Sequence, residues 1–520
     1  MNVGDKEPTH LPTVGCLRQI KYENRKSSYY DSNEMMALWI MSTLDSFKKI
    51  IRLVSLLPLN VYYWSPEQDK YYKDYSRNER TVLSIDATGS IFKPVGVGNI
   101  NLSKQIFFYS CVMASCYNES SVPIAQLISD SHTLDTIHKW LGTWAKDKKI
   151  PNEVVIDDSA ALIGAAVKAF TKFNSTTEYV NDSFMKLEKQ EPAPKKCFIR
   201  IDTSHFIKIL FNLPCFKHID QRVKFFYIKC LLEIKECDDY NTLKLILTDI
   251  ITLALNKYDG VDIDGNKTRC EEAKDRLKKL RSFSRTIDTE IVIQDSKEID
   301  NFESLKNSSF EDLEASCETV REVGVDVKSP KWFYDAIESE KLIITLTERD
   351  LNNVHDNLFY FPDFLNTLTR LVGQLPLWSN IMKNIYHSSI LNPTSSNVES
   401  YFKNVKRHLC RIISKSDRYR VDEFFMKHLE FLSGELKGAI SNLKEGKTKK
   451  ATEKRERKKA LPKTVKEEKN IEHAVESIFT ENPSLIENWR GLATKREKRK
   501  TISEKETPKD AQVSKRMNMT

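Results

Sequence analysis

The chain has 520 residues, 40% of them hydrophobic and 10% aromatic, enough apolar material for one large core or two to three smaller ones, which excludes a disordered protein. Its 81 Lys and Arg against 73 Asp and Glu leave a net charge of +8, an excess that suits a polyanionic partner without demanding one. The ten cysteines are scattered with no CxxC, which excludes a zinc ribbon and a disulfide framework, and no apolar run approaches the roughly 18 residues of a membrane span. The first residues, MNVGDKEPTHLPTVGC, lack the charged-then-apolar layout of a signal peptide, so a soluble, intracellular chain is expected.

In chain order, Leu38, Met41, Leu44, Phe47, Ile51, Val54 and Leu57 recur at three- and four-residue spacing and predict one core-facing helix from Met35 to Leu57. The segments TVLSIDATGSIF, KPVGVGNI and QIFFYSCVMAS follow in quick succession and predict three neighbouring strands. Pro123 is then expected to open an amphipathic helix with Leu127, Leu134, Ile137, Leu141 and Trp144 on one stripe. Two strand-to-helix turns come next, VVI into DDSAALIGAAVKAF and CFIRI into DTSHFIKILFNL, and this alternation implies an α/β sheet with parallel members. From Phe216 to Leu375 helical periodicity takes over, interrupted by an acidic polar stretch from Thr286 to Pro330. After SNVESYFKNVKRHL and VDEFFMKHLEFL, the chain turns Lys-rich, with basic runs KTKKATEKRERKK and KREKRK and a short helical pattern at IEHAVESIF. The expected organisation is an N-terminal helical segment (1–77), an α/β core (78–215), a helical insertion (216–375), core helices (376–436) and a basic, mostly unpacked tail (437–520).

Three acidic residues stand where an ordinary surface role explains them least. Asp86 lies in the apolar strand VLSIDATG, where a lone carboxylate carries a desolvation cost unless hydrogen-bonded or held by a metal. Asp157 ends the strand VVI, at the carboxyl edge where open α/β sheets place their ligands, and Glu399 sits at the margin of a helix whose Val398, Phe402, Val405 and Leu409 face the core. Each has a plainer alternative: Asp157 or Asp158 as the cap of the following helix, and Glu399 as the i, i+4 partner of Lys403. Two Asp and one Glu would suit two magnesium or manganese ions about 4 Å apart, the arrangement used for phosphodiester cleavage and strand transfer.

The pieces SIDATG, VVIDDSAALIGAA, DTSH and SNVESYFKNVKRHL resemble, in order, the motifs of eukaryotic cut-and-paste DDE transposases of the Mutator-like type and, more loosely, the related hAT group. The resemblance spans roughly Thr81 to Leu409 and implies a ribonuclease-H-like mixed sheet flanked by helices and interrupted by a large all-α insertion. It implies metal-dependent DNA cleavage and strand transfer by Asp86, Asp157 and Glu399, with Asp157 preferred to Asp158 because Ala161 and Leu162 stand four and five residues on. DTSH matches the family's Cys-or-Asp, two residues, His motif, which brings in Asp202 as a further possible ligand and His205 as a group that orients phosphate or moves a proton, or else as a structural histidine.

Lys403, Lys406, Arg407 and His408 could meet DNA phosphates or form a solvated helix face, and Cys215 with His218 lacks the second pair a zinc site needs. The implied partners are transposon-end and target DNA and a second copy of the chain, in the nucleus, with no membrane and no small-molecule cofactor. Relatives carry a zinc-finger module before the catalytic domain; Cys16 and His10 are too few for one here, which suggests a truncated copy, a reader in a separate chain, or another element in its place. The alternative is an inactive, transposase-derived DNA-binding or protein-interaction factor.

Overall fold

The computed structural model describes residues 13, 15–17, 19–20, 23, 29–97, 100–103, 105–114, 121–189, 197–261, 265–280, 328–347, 354–410 and 418–442. The chain divides into two units, Met1–Ile440 and Ser441–Thr520, and all but the first two residues of the second lie outside the described residues. The basic runs, the pattern at IEHAVESIF and nearly all of the acidic stretch fall there too.

The expected helix from Met35 to Leu57 is three elements instead. Asn33 caps a short helix, α1 (Glu34–Thr43), by accepting from the Met35 and Met36 N–H groups. The chain then forms an antiparallel hairpin, β1 (Ile51–Leu56) and β2 (Leu59–Tyr63). The three-residue spacing of Ile51, Val54 and Leu57 misleads because β1 is an edge strand whose residues are mostly half-buried or exposed, so its burial carries no clean alternation. The N-terminal segment is therefore not purely helical, and it adds two strands to the main sheet.

After α2 (Pro66–Ser76) comes β3 (Val82–Thr88), which carries Asp86. KPVGVGNI does not join β3 as a neighbour: β4 (Val95–Val97) and β5 (Ile100–Ser103) pair with each other as a separate ribbon, and β6 (Phe107–Ala114) lies directly against β3. The segment from Pro123 is also a strand, β7 (Ser121–Ser129), and the helix α3 (Leu134–Ala145) begins only after it. Pro123 is tolerated because the β6–β7 register slips at Cys111/Val112 opposite it, and β2 pairs with β7 only over residues 126–129.

The expected alternation follows: β8 (Glu153–Ile156), α4 (Ala160–Phe170), α5 (Thr176–Lys189), β9 (Phe198–Ile201) and α6 (Thr203–Phe211). The seven-stranded sheet has the order β1-β2-β7-β6-β3-β8-β9, antiparallel up to β3 and parallel from β3 through β9. This is the mixed, helix-flanked sheet of a ribonuclease-H-like fold, with β1 and β2 added at one edge. On one face α3 packs on α4, and a Cβ at Gly164 would come within 2.5 Å of Leu134 Cδ1, so the small residues of AALIGAA permit the approach.

The insertion is helical, from α7 (Gln221–Glu236), α8 (Tyr240–Leu255), a short β10 (Tyr258–Gly260) and α9 (Arg269–Lys278) to α10 (Lys331–Thr347). It is not all-α, because β10 pairs with β11 (Val354–Asp356). Then α11 (Phe364–Gly373) and α12 (Leu375–Trp378) return the chain to the sheet, where Trp378 stacks on Phe206 of α6 at 4.5 Å.

The last core elements are α13 (Ser396–Val405), a π turn at Lys406–Cys410, and a helix at 421–442, α14. Val398, Phe402 and Val405 of α13 and Phe424 and Phe425 of α14 cover the second face of the sheet against Phe108, Val112 and Tyr63. Each such side chain contributes about 1.5–3 kcal/mol by leaving water. Within this layer lies fully buried His428, with Tyr63 Oη 2.8 Å from Nδ1 and Tyr401 Oη 2.6 Å from Nε2. A neutral imidazole has one N–H and one lone pair, so one tyrosine accepts and the other donates. Burial holds the His428 pKa down to about 3.

Because the unfolded imidazole titrates near its ordinary value of 6.5, stability tied to His428 is present above that pH and is lost as pH falls toward 3. Tyr401→Phe, which leaves one buried ring nitrogen unpaired, is expected to lower unfolding free energy by about 1–3 kcal/mol in urea titrations at neutral pH.

Candidate active site

Strand register assembles the acidic edge. Parallel pairing sets Ile85 opposite Ile156 and Ile156 opposite Ile201, so the next residue on each strand, Asp86, Asp157 and Asp202, stands at one height on three adjacent strands, about 4.8 Å apart. The runs below them are buried, most fully in EVVI and FIRI, and this burial fixes the register. Strands β8 and β9 each turn at once into a helix, and each helix has its own cap. Ser159 Oγ accepts from the Leu162 N–H and caps α4, so neither Asp157 nor the exposed Asp158 is spent on that task.

Asp202, named from sequence as a further possible ligand, is held by backbone groups. It is buried, its Oδ1 accepts the His205 N–H at 2.8 Å, and its Oδ2 accepts the N–H of Ser395. It clamps the start of α6 to the chain entering α13.

Glu399 arrives from the other end of the sequence along a segment anchored almost residue by residue. Ser388 Oγ donates to Glu153 Oε2 (2.7 Å), Arg200 donates to the Ile390 carbonyl (2.7 Å), Lys235 Nζ donates to Asn392 Oδ1, and Thr203 N–H donates to the Pro393 carbonyl (2.9 Å). Ser84 Oγ, two residues before Asp86 on the same face, donates to the Thr394 carbonyl at 3.4 Å. One turn later Glu399 Oε1 lies 3.1 Å from His205 Nε2, and His205 Nδ1 lies 3.1 Å from Asp157 Oδ2. The ring stands between two carboxylates, a counter-charge to both when protonated.

The electrostatics are those of crowded, desolvated acids. Burial pushes the Asp86 carboxyl well above its usual range, with the negative charges of Asp157 and Glu399 adding to it and the Ala87 N–H and Lys406 opposing. Asp157 is raised to about 6 by burial, with Asp202 and Glu399 repelling it and His205 and Lys208 drawing it back. Asp157 Oδ1 is buried with no hydrogen-bond partner among the described residues.

A set of hard oxygen donors, mutually repelling and with one buried oxygen open, fits a divalent cation such as magnesium. As placed, no three His, Cys, Asp or Glu side chains among the described residues form an ion cage, since Asp157 and Glu399 both lean on His205. The basic residues named from sequence, Lys403, Lys406, Arg407 and His408, are exposed on α13 and the π turn, and Lys406 is within electrostatic reach of Asp86. Lys208, one turn beyond His205 on α6, acts likewise on Asp157 and was not singled out from sequence; its i, i+3 spacing from His205 was the available signal.

No family model and no solved structure matches the chain. The chain is 26% identical over 506 residues, 94% of its length, to the 120.7 kDa protein in NOF-FB transposable element of Drosophila melanogaster, and it spans 44% of that protein. This similarity points to a transposon-related origin without selecting between the Mutator-like and hAT groups.

Since the folded Asp157 pKa exceeds its ordinary 3.8, the native state is favoured by the protonated form, and stability is lost as pH rises through about 6. Asp157→Asn is therefore expected to melt above the wild-type chain in EDTA at pH 8, by about 1–3 kcal/mol, with the difference vanishing near pH 4. A variant less stable than wild type at pH 8 would contradict this electrostatic description.

Proposed function

We propose that the chain is the catalytic core of a DDE-type transposase of the Mutator-like or hAT-related kind, cleaving DNA and transferring the resulting 3′ ends. The observation that carries this reading is the convergence of Asp86, Asp157 and Glu399 from distant parts of the sequence on one sheet edge. Two divalent ions, magnesium or manganese, would supply activation of the attacking water or 3′-hydroxyl and neutralise charge at the leaving oxygen. Asp86 and Asp157 would hold them from the sheet and Glu399 from α13.

Burial and mutual repulsion of the carboxylates make the edge receptive to positive charge. His205, fixed by its backbone bond to Asp202, orients both Asp157 and Glu399 and stands where it can meet a phosphate oxygen or a proton. Lys208 and Lys406 flank the acids and can pair with phosphates either side of the cut. Strand transfer, rather than hydrolysis alone, is supported by the similarity to a transposable-element protein. With transposon-end and target DNA as the substrate, the activity would belong in the nucleus, and joining two ends would call for a second copy of the chain.

One observation favours a second reading, a transposase-derived DNA-binding or protein-interaction factor: Asp157 and Glu399 are turned onto His205 and not arranged as a cage. Incubation of the full chain with supercoiled plasmid and magnesium separates the two. Nicked and linear products are expected, abolished by EDTA and lowered at least about 100-fold by Asp86→Asn, Asp157→Asn or Glu399→Gln. DNA binding without any magnesium-dependent cleavage would select the second reading.

A further inference from the structure

We propose that the junction of α6 and α7 is a DNA-docking ridge that carries the duplex leading away from the acidic edge. The direction assigned to the DNA rests on the nuclease reading above; the binding itself does not. Helix α6 begins at the site with His205 and ends at Phe211, so its length leads from the carboxylates to the junction. There Phe211 meets Phe225 of α7, ring centroids 6.2 Å apart, and Phe225 remains 40% exposed.

Charge around this pair is one-sided. Residues 203–229 hold five Lys and Arg against one acid, Asp220, in a chain whose overall balance is 81 to 73. Asp220 is already engaged, with Arg222 Nη2 2.8 Å from its Oδ2 and Nε at 3.2 and 3.3 Å. Lys208 and Lys217 are exposed and Lys224 is half-buried beside Phe225. Exposed lysines close in sequence to an exposed aromatic ring are the chemistry that holds a phosphate backbone while a sugar face rests on the ring. Lys208 is on the same helix as His205 and also lies within electrostatic reach of Asp157.

The test is fluorescence anisotropy of the full chain with a labelled DNA duplex in EDTA, where no metal-dependent step intervenes. Combined Lys208→Glu, Lys217→Glu and Lys224→Glu is expected to weaken binding at least about tenfold and to flatten the plot of log affinity against log salt by about 2–3 units, one per lost phosphate contact. Phe225→Ala is expected to weaken binding severalfold with the salt slope unchanged, and Phe225→Tyr to restore it. Combined Lys139→Glu, Lys146→Glu and Lys172→Glu, exposed positions on or just after α3 and α4, is the charge-matched control and is expected to bind like wild type. Thermal melts check that every variant folds.

Wild-type affinity in the triple variant, equal weakening in the control, or no DNA binding by the wild-type chain would each overturn the proposal. A wild-type chain that binds through the ridge yet never nicks DNA overturns the nuclease reading and leaves the ridge standing.

Discussion

Register between three parallel strands is the constraint on which the rest of the molecule turns. Because Ile85, Ile156 and Ile201 are paired side by side, the carboxylates that follow them must stand in a row, at the same height and a strand's width apart. That row is electrostatically unfavourable in the absence of a cation, and the protein manages it unequally. Asp202 accepts from two backbone N–H groups, Asp157 is faced by His205, and Asp86 is left with the Ala87 N–H and the distant help of Lys406. The two least compensated acids of the row are those that the nuclease reading, together with Glu399, assigns to metal.

Delivering Glu399 to this edge demands a second constraint, since α13 is separated from β9 by the whole insertion. Fully buried Arg200 meets it by donating to Glu153, to Asn380 and to the Ile390 carbonyl, while Glu153 also receives Arg80 and Ser388. Replacing such a buried pair by apolar side chains is often neutral for stability, whereas breaking one half of it costs several kcal/mol. Its use here is positional: it fixes the path of residues 388–395, and with it the phase of α13.

Legibility followed burial symmetry. VVI and CFIRI are buried on both faces, so a short apolar run followed by a polar turn was enough to read strand, edge and helix, and Asp86 stood out on its strand, whereas preferring Asp157 to Asp158 took the resemblance. Segments buried on one side misled. Ile51–Leu56 is a half-exposed edge strand with an accidental helical spacing, and SVPIAQLIS carries a proline that sequence rules place at a helix start, although a register slip in the sheet accommodates it. The separate β4–β5 ribbon and the β10–β11 pair depend on contacts distant in sequence, which local pattern does not encode.

The amino-acid sequence by itself determined the fold class, the insertion between β9 and α13, and the identities of the acidic and histidine side chains, because strand and helix periods and strand-end polarity are local properties. Only the tertiary structure decided what those side chains do to one another. It assigned the cap of α4 to Ser159, made Asp202 a clamp, set His205 between Asp157 and Glu399, and brought Lys208 and Lys406 to the acids. Those roles are distances between residues as far apart in sequence as Asp86 and Lys406, and strand register and the Arg200–Glu153 anchor set such distances only once the chain has closed.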